Sequence, residues 1–265
     1  ALFDAGALSV TLTDAVDDAI LEPAPGEVRL WPQTVLQALF PAETAGPEYI
    51  IVLANALDLP AERISVERVA DRVWEREWLK DFHSMRFGRR LWIVPTHERP
   101  PADPDSVCVS LDPGLAFGTG THPTTRMCLR WAARQAPALA PHWTRVLDYG
   151  CGSGILAIGA ALHGAGRIDA VDIDPAAVEA TRANAAANKV SVNAGLPELA
   201  QGQYPLVFAN ILATPLKLLA PLLCSHVAAG GHLVLAGILE RQADELTAAY
   251  APWLTLRVDD RDDGW

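Results

Sequence analysis

The strongest chemical signal in the chain lies in Arg145-Val-Leu-Asp-Tyr-Gly-Cys-Gly-Ser-Gly-Ile-Leu-Ala-Ile158. An apolar strand through Val146 and Leu147 meets a turn of Gly150, Gly152 and Gly154, and an apolar helix opens at Ile155. Glycine tolerates positive φ and lets a ligand come close to the backbone. The free N–H groups of the following helix N-terminus attract an acidic group. A second apolar strand, Ile168-Asp-Ala-Val-Asp-Ile-Asp-Pro175, ends in acid. Asp172 stands 22 residues after Gly150, the spacing of a carboxylate that holds a ribose. The glycine pattern alone leaves a structural turn open as the plainer reading. Strand, glycine turn, helix, strand and acid in succession point instead to a nucleoside-containing cofactor in a Rossmann-like unit.

Two further stretches carry polar groups where chemistry needs them. Leu111-Asp-Pro-Gly-Leu-Ala-Phe-Gly-Thr-Gly-Thr-His-Pro-Thr-Thr125 combines three glycines with hydroxyl and imidazole side chains just before a helix. It reads as a flap that closes over the cofactor, with Phe117, Gly118, Gly120 and His122 in it and Thr125 offering a hydroxyl. The plainer role, an N-cap by Thr124 or Thr125, is compatible with this, and His122 alone could be a structural histidine. Leu206-Val-Phe-Ala-Asn-Ile-Leu-Ala-Thr-Pro-Leu216 is a buried strand ending in Asn210. That places Asn210 at the carboxyl edge of the sheet, where open α/β sheets bind ligands; the alternative is a turn asparagine. No Ser or Cys nucleophile is paired with a His, so covalent catalysis is not expected. No cluster with metal-ligand spacing occurs, and no metal is expected.

The elements that position these groups alternate after Val107. Strands are expected at about 144–149, 168–173, 190–194, 204–210, 231–238 and 253–259. Helices are expected at 124–134, 153–163, 175–188, 214–228 and 240–250. Such alternation implies a parallel sheet covered on both faces. Before it, the pattern is a helix tail over Ala1–Ala7, strands at Leu8–Thr13 and Glu27–Trp31, a helix over Pro47–Leu57 and a strand from Ile64. This order suggests a smaller N-terminal α+β domain, ferredoxin-like if a first strand is missing. A helix at Asp71–Phe82 and a strand at Leu91–Val94 lead to Pro95, Pro100, Pro101 and Pro104. The expected division is therefore 1–70, a linker with a helix over 71–105, and a catalytic domain over 106–265. The chain stops where a final strand might begin, so terminal strands are expected to be truncated or unseen.

Half of the 265 residues are hydrophobic, enough for a substantial core, yet no apolar run is long enough to span a membrane. No signal peptide is apparent, and four scattered cysteines read as reduced thiols in a cytoplasmic protein. Residues 1–70 hold eleven acids against Arg29, Arg63 and Arg68, a net −8 of the chain's −11. An acidic module argues against direct nucleic-acid binding, because phosphates demand Lys and Arg. It suits a basic protein partner, or serves only solubility.

The spacing Gly-x-Gly-x-Gly after Asp148 resembles the first motif of class I methyltransferases, which bind S-adenosylmethionine. Dinucleotide enzymes usually show Gly-x-Gly-x-x-Gly instead. Leu111–Thr125, Val146–Ile158, Val171–Pro175, Ala209–Ala213 and Ala236–Leu239 together resemble the methyltransferase family of ribosomal protein L11, PrmA. Asn210 is similar to the first residue of the Asn-Pro-Pro-Tyr motif of amino-methylating enzymes, with Ile211-Leu212 replacing the prolines. His83-Ser84 and Thr96-His97 depart from the family's linker. The resemblance implies a Rossmann-like class I methyltransferase sheet and transfer of methyl groups to α- and lysine ε-amino groups of ribosomal protein L11. It implies cofactor contacts from Thr125, Gly150, Asp172 and Asn210, with Gly152 bordering the methionine part and Asn210 orienting the amine. A methyltransferase for another protein or nucleic-acid amine, or a non-catalytic S-adenosylmethionine-binding module, are the alternatives.

Overall fold

A computed structural model describes residues 1–16, 30–42, 49–69, 82–114 and 116–265. The chain forms two compact units, Ala1–Val73 and Trp74–Trp265. In the first, Ser9–Asp14 (β1) pairs antiparallel with Thr34–Leu39 (β2), in register from Ser9 opposite Leu39 to Asp14 opposite Thr34. Tyr49–Leu57 is a helix (α1), and Tyr49 meets Phe40 edge-on at 5.4 Å. Ala1–Ala7 is a hydrogen-bonded turn in which the Ala5 N–H donates to the Ala1 carbonyl at 3.0 Å.

Two expectations need correction here, and a third lies outside the described residues. The second strand is Thr34–Leu39, whose Leu, Gln and Ala composition disguises it as helix-forming. Of the strand expected at 27–31, only Leu30 and Trp31 are described, and they are not in a strand. Ile64–Val66 is extended but has no ladder partner among the described residues. The helix expected at 71–82 lies outside the described residues, apart from Phe82.

The second unit contains a small sheet of Met85–Phe87 (β3), Leu91–Val94 (β4) and Val107–Ser110 (β5). β3 runs antiparallel to β4, and β4 parallel to β5 across the proline-rich stretch. The larger sheet is parallel and five-stranded: Arg145–Tyr149 (β6), Arg167–Val171 (β7), Asn193–Gly195 (β8), Tyr204–Asn210 (β9) and Val227–Ala236 (β10), in the order β10-β9-β6-β7-β8. The chain walks outward from β6 to β8, then returns to the other side of β6, creating a switch point between β6 and β9. Helices Pro123–Leu139 (α2), Ile155–Leu162 (α3), Pro175–Ala187 (α4), Ala213–Leu218 (α5), Ala220–Ser225 (α6) and Ala243–Tyr250 (α7) complete the unit.

Both faces of the central strands β6, β7 and β9 are buried, which is why these strands read as continuous apolar runs. One face sets Val146, Ile168, Leu206 and Phe208 among Leu129, Ile158 and Val178. The other sets Leu147, Val171 and Val207 among Leu216, Leu223, Leu246 and Tyr250. Full burial of each large aliphatic side chain contributes roughly 1.5–3 kcal/mol, so these layers dominate the fold's stability.

The single helix expected at 214–228 is broken at Leu219, because Pro221 lacks the N–H needed to continue it and starts α6 instead. The segment 253–259 alternates like a strand but has no ladder partner among the described residues. Also among the described residues, no helix is long and apolar enough to cross a membrane.

Candidate functional site

The carboxyl ends of β6, β7 and β9 converge on one polar set. After β6, Gly150, Gly152 and Gly154 take φ of +81°, +54° and +79°. A Cβ on Gly150 would lie 2.2 Å from Ile211 Cγ2, and one on Gly152 would lie 2.4 Å from the Phe117 carbonyl oxygen. The turn is thus glycine for two reasons, backbone handedness and tight packing against its own neighbours. Ile211 is enclosed further: a Cβ on Gly237, just past β10, would lie 2.2 Å from its carbonyl oxygen.

Asp172 follows β7 and is half-buried. It accepts the Gly152 N–H and the Asp174 N–H, both at 3.0 Å, which fixes its carboxylate against the glycine turn. Each oxygen keeps a lone pair for another donor. Asp174 caps α4 by accepting the Ala176 N–H at 2.8 Å, with Pro175 in the first turn.

Asn210 ends β9. Its amide NH2 donates to the buried Thr125 hydroxyl at 3.3 Å, while its buried Oδ1 has no hydrogen-bond partner. Asp148, 1% exposed, accepts the Ala157 N–H at 3.1 Å with one oxygen, and its other oxygen is also without a partner. Burial pushes the Asp148 carboxyl up to about 7. The Ala157 bond opposes this, and the nearby Asp172 charge adds to it. Burial, with the Asp148 charge second, pushes the neighbouring Cys151 thiol up to about 12, which leaves it a poor nucleophile.

The 111–125 segment is tied to the glycine turn by a residue the sequence reading passed over. The Ser153 N–H donates to the Phe117 carbonyl at 2.8 Å, and its hydroxyl donates to the Gly118 carbonyl at 2.5 Å. Ser153 sits inside the glycine motif, so only its partner was hidden from sequence. Thr181 of α4 was also missed; its hydroxyl donates to the Gly152 carbonyl at 3.0 Å. Gly120 is buried against Met85 and Ile93, where a Cβ would meet Met85 Cε at 3.0 Å. Phe117 is 56% exposed and meets His122 edge-on at 5.3 Å. His122, rather than Thr124 or Thr125, caps α2: its Nδ1 accepts the Thr124 N–H at 3.3 Å. Burial, and then Arg126, lowers the His122 pKa, which keeps the imidazole neutral and able to accept.

The structure therefore brings Thr125, Asp148, Gly150, Gly152, Asp172 and Asn210 to one edge, with Phe117, Gly120 and His122 on the adjoining loop. A cavity of about 620 Å³ is lined by Met127, Trp131, β10, residues 254–261 and Trp265, and by none of this set. Among the described residues no cluster could hold a metal ion, and all four cysteines are free.

This sheet order, with a glycine turn after the central strand and an acid after its neighbour, defines a Rossmann-like class I methyltransferase. The family model described as ribosomal protein L11 methyltransferase (PrmA) matches residues 1–265. A ribosomal protein L11 methyltransferase of Polaromonas sp. is 53% identical over 98% of this chain and 89% of its own length. One of Cupriavidus necator is 49% identical over 100% and 90%. The crystal structure of a ribosomal protein L11 methylase from Lactobacillus delbrueckii subsp. bulgaricus superposes with a TM-score of 0.57. It is 31% identical and covers 69% of this chain and 95% of its own. The chain belongs to the ribosomal protein L11 methyltransferase family.

Proposed function

We propose that the chain transfers methyl groups from S-adenosylmethionine to the α-amino and lysine ε-amino groups of ribosomal protein L11. The observation that carries this reading is the family match, which runs through both units. The chemistry of the carboxyl edge fits the donor. Buried Asn210 Oδ1 and Asp148 Oδ1 await partners, and Asp172 faces the same edge with lone pairs to spare. S-adenosylmethionine, when bound, supplies a methyl group activated by a positively charged sulfur.

Asp172 holds the ribose hydroxyls, Gly150 and Gly152 border the methionine part, and Thr125 holds Asn210 in place. Phe117, Gly120 and His122 close over the donor and exclude water. Asn210 accepts a hydrogen bond from the incoming amine and orients its lone pair. A neutral acceptor suits this task, since a carboxylate would favour the ammonium form, which has no lone pair. Alignment and water exclusion are the main demands on the protein. The amine proton leaves to solvent.

The acidic residues of 1–70 recognise the basic substrate and disfavour naked nucleic acid. Free thiols support a reducing, cytoplasmic setting. Incubating the full chain with S-adenosylmethionine and ribosomal protein L11, then weighing the substrate by mass spectrometry, tests the reading. Additions of about 14 Da at amines are expected, one CH3 taking the place of one hydrogen. An unmodified substrate in the presence of bound donor overturns it.

A further inference from the structure

The far end of the chain reaches the flap. Asp262 and Trp265 exchange N–H···O bonds of 3.0 Å across Asp263 and Gly264, whose φ values are +55° and +80°. Two central residues with positive φ are the pattern of a type I′ turn, and Asp-Gly is its preferred sequence. The turn is anchored in two directions. The Glu240 N–H donates to the Gly264 carbonyl at 3.0 Å. Arg126 binds Asp262 with both Nε and Nη2 at 3.1 Å, while Arg130 reaches Asp262 and Asp260 at 2.8 Å each. Arg134 pairs with Asp259. The three arginines recur every fourth residue and so lie on one face of α2. Bidentate, partly buried pairs of this kind hold geometry better than isolated exposed ones.

The outcome of this strap is the seat of Trp265. Its ring lies edge-on to His122 at 5.1 Å, on an imidazole that also meets Phe117 at 5.3 Å. His122 is therefore gripped by two aromatic rings, one from the flap and one from the turn, while it caps α2. Both contacts have the favourable edge-to-face arrangement.

We propose that Trp265, held by the Asp260–Asp262 to Arg126–Arg130 strap, is a positioning residue for methyl transfer: it backs His122 and thereby sets the Phe117 flap over the donor. The proposal rests on the flap reading given above.

Binding of S-adenosylhomocysteine to the full chain, measured by calorimetry, tests it without requiring turnover. Trp265→Ala is expected to weaken binding about tenfold, the scale of losing aromatic pair contacts, with the fold intact. Trp265→Phe keeps an edge-to-face partner and is expected to bind within about threefold of wild type. The His122 imidazole, followed by NMR, is expected to titrate higher in Trp265→Ala, back toward its ordinary value of 6.5, as its ring becomes exposed. Asp262→Asn, which cuts the strap at a distance, is expected to weaken binding less than Trp265→Ala does and serves in its place should that variant not fold.

A folded Trp265→Ala that binds within about twofold of wild type overturns the proposal, because an RT-scale change is no positioning effect. If Phe117→Ala and His122→Ala are equally silent, the flap reading itself fails. If those two weaken binding and Trp265→Ala does not, the strap alone is refuted.

Discussion

The parallel sheet treats the buried carboxylate of Asp169 in one way and the buried oxygens of Asp148 and Asn210 in the opposite one. Asp169 has no exposure, yet it receives bonds from Arg145, Arg167, Asn193 and the Tyr204 hydroxyl at 3.2, 3.1, 2.8 and 2.9 Å. Arg145 also lies over the Tyr204 ring at 4.2 Å. Burial raises the Asp169 pKa, but the four donors outweigh it and hold the carboxyl below its usual range. Asp148 and Asn210 are left with unpartnered buried oxygens. An unpaired buried acceptor costs about 1–3 kcal/mol, a cost that Asp148 and Asn210 carry and Asp169 does not. The satisfied Asp169 supports stability, and the unsatisfied oxygens of Asp148 and Asn210 are where binding can recover free energy.

This contrast can be broken by experiment. The largest effect is expected from Asp169→Ala, which leaves the buried Tyr204 hydroxyl and Asn193 without their acceptor. It should lower folding stability by roughly 3 kcal/mol, tempered because both arginines reach water. Urea unfolding checks this, and unchanged donor affinity per folded molecule should accompany it. Asn210→Ala should do the reverse: turnover falls on the order of a hundredfold, comparable to losing one positioning group, while stability holds or rises. Single-turnover methylation at saturating donor measures it, and a rate within about twofold of wild type assigns Asn210 to structure.

Asp172→Ala should weaken donor affinity about tenfold to a hundredfold, the worth of charge-assisted bonds to two hydroxyls. Calorimetry on the folded variant decides, and unchanged affinity removes Asp172 from the site.

A further test is a pH dependence. The Asp148 carboxyl titrates near 7 in the fold against an ordinary value of 3.8. Its protonated form is the one the fold prefers. The stability it contributes is complete below about pH 4 and is lost as pH rises toward about 7. Asp148→Asn cannot ionise, so its melting temperature should gain on wild type by several degrees between those limits. A constant difference across that window means that Asp148 does not ionise there, and the contrast with Asp169 then fails.

The sequence made the carboxyl edge legible because its determinants are local. Glycines at alternate positions, an acid after an apolar run and an asparagine after another each announce a strand end. Asp169 went unread because its four partners come from β6, β7, β8 and β9, and no spacing in the chain reveals that convergence. The same holds for Ser153 and Trp265, whose partners lie 35 or more residues away in Gly118 and His122. Residues 253–259 misled for the opposite reason. Their alternation is local, but a strand is defined by a neighbour, and none pairs with them among the described residues. Pro221 was visible, and the interruption it causes at α5 and α6 could have been foreseen.

The enclosure of Ile211 has a consequence for how this sequence can drift. A methyl group on Gly150 collides with the Ile211 side chain, and one on Gly237 collides with its carbonyl, each at 2.2 Å. Trimming Ile211 to Ala opens room at Gly150 but none at Gly237, where the obstacle is main chain. The positive φ of both glycines, +81° and +83°, persists through any such compensation. Three positions just past β6, β9 and β10 are therefore epistatically locked, with only the Ile211 side chain free to vary, and that toward smaller residues. The neighbouring Leu212, 51% exposed, bears no such restriction. Neutral change on this edge should accumulate one residue to the side of Ile211, and hardly at all at the glycines that enclose it.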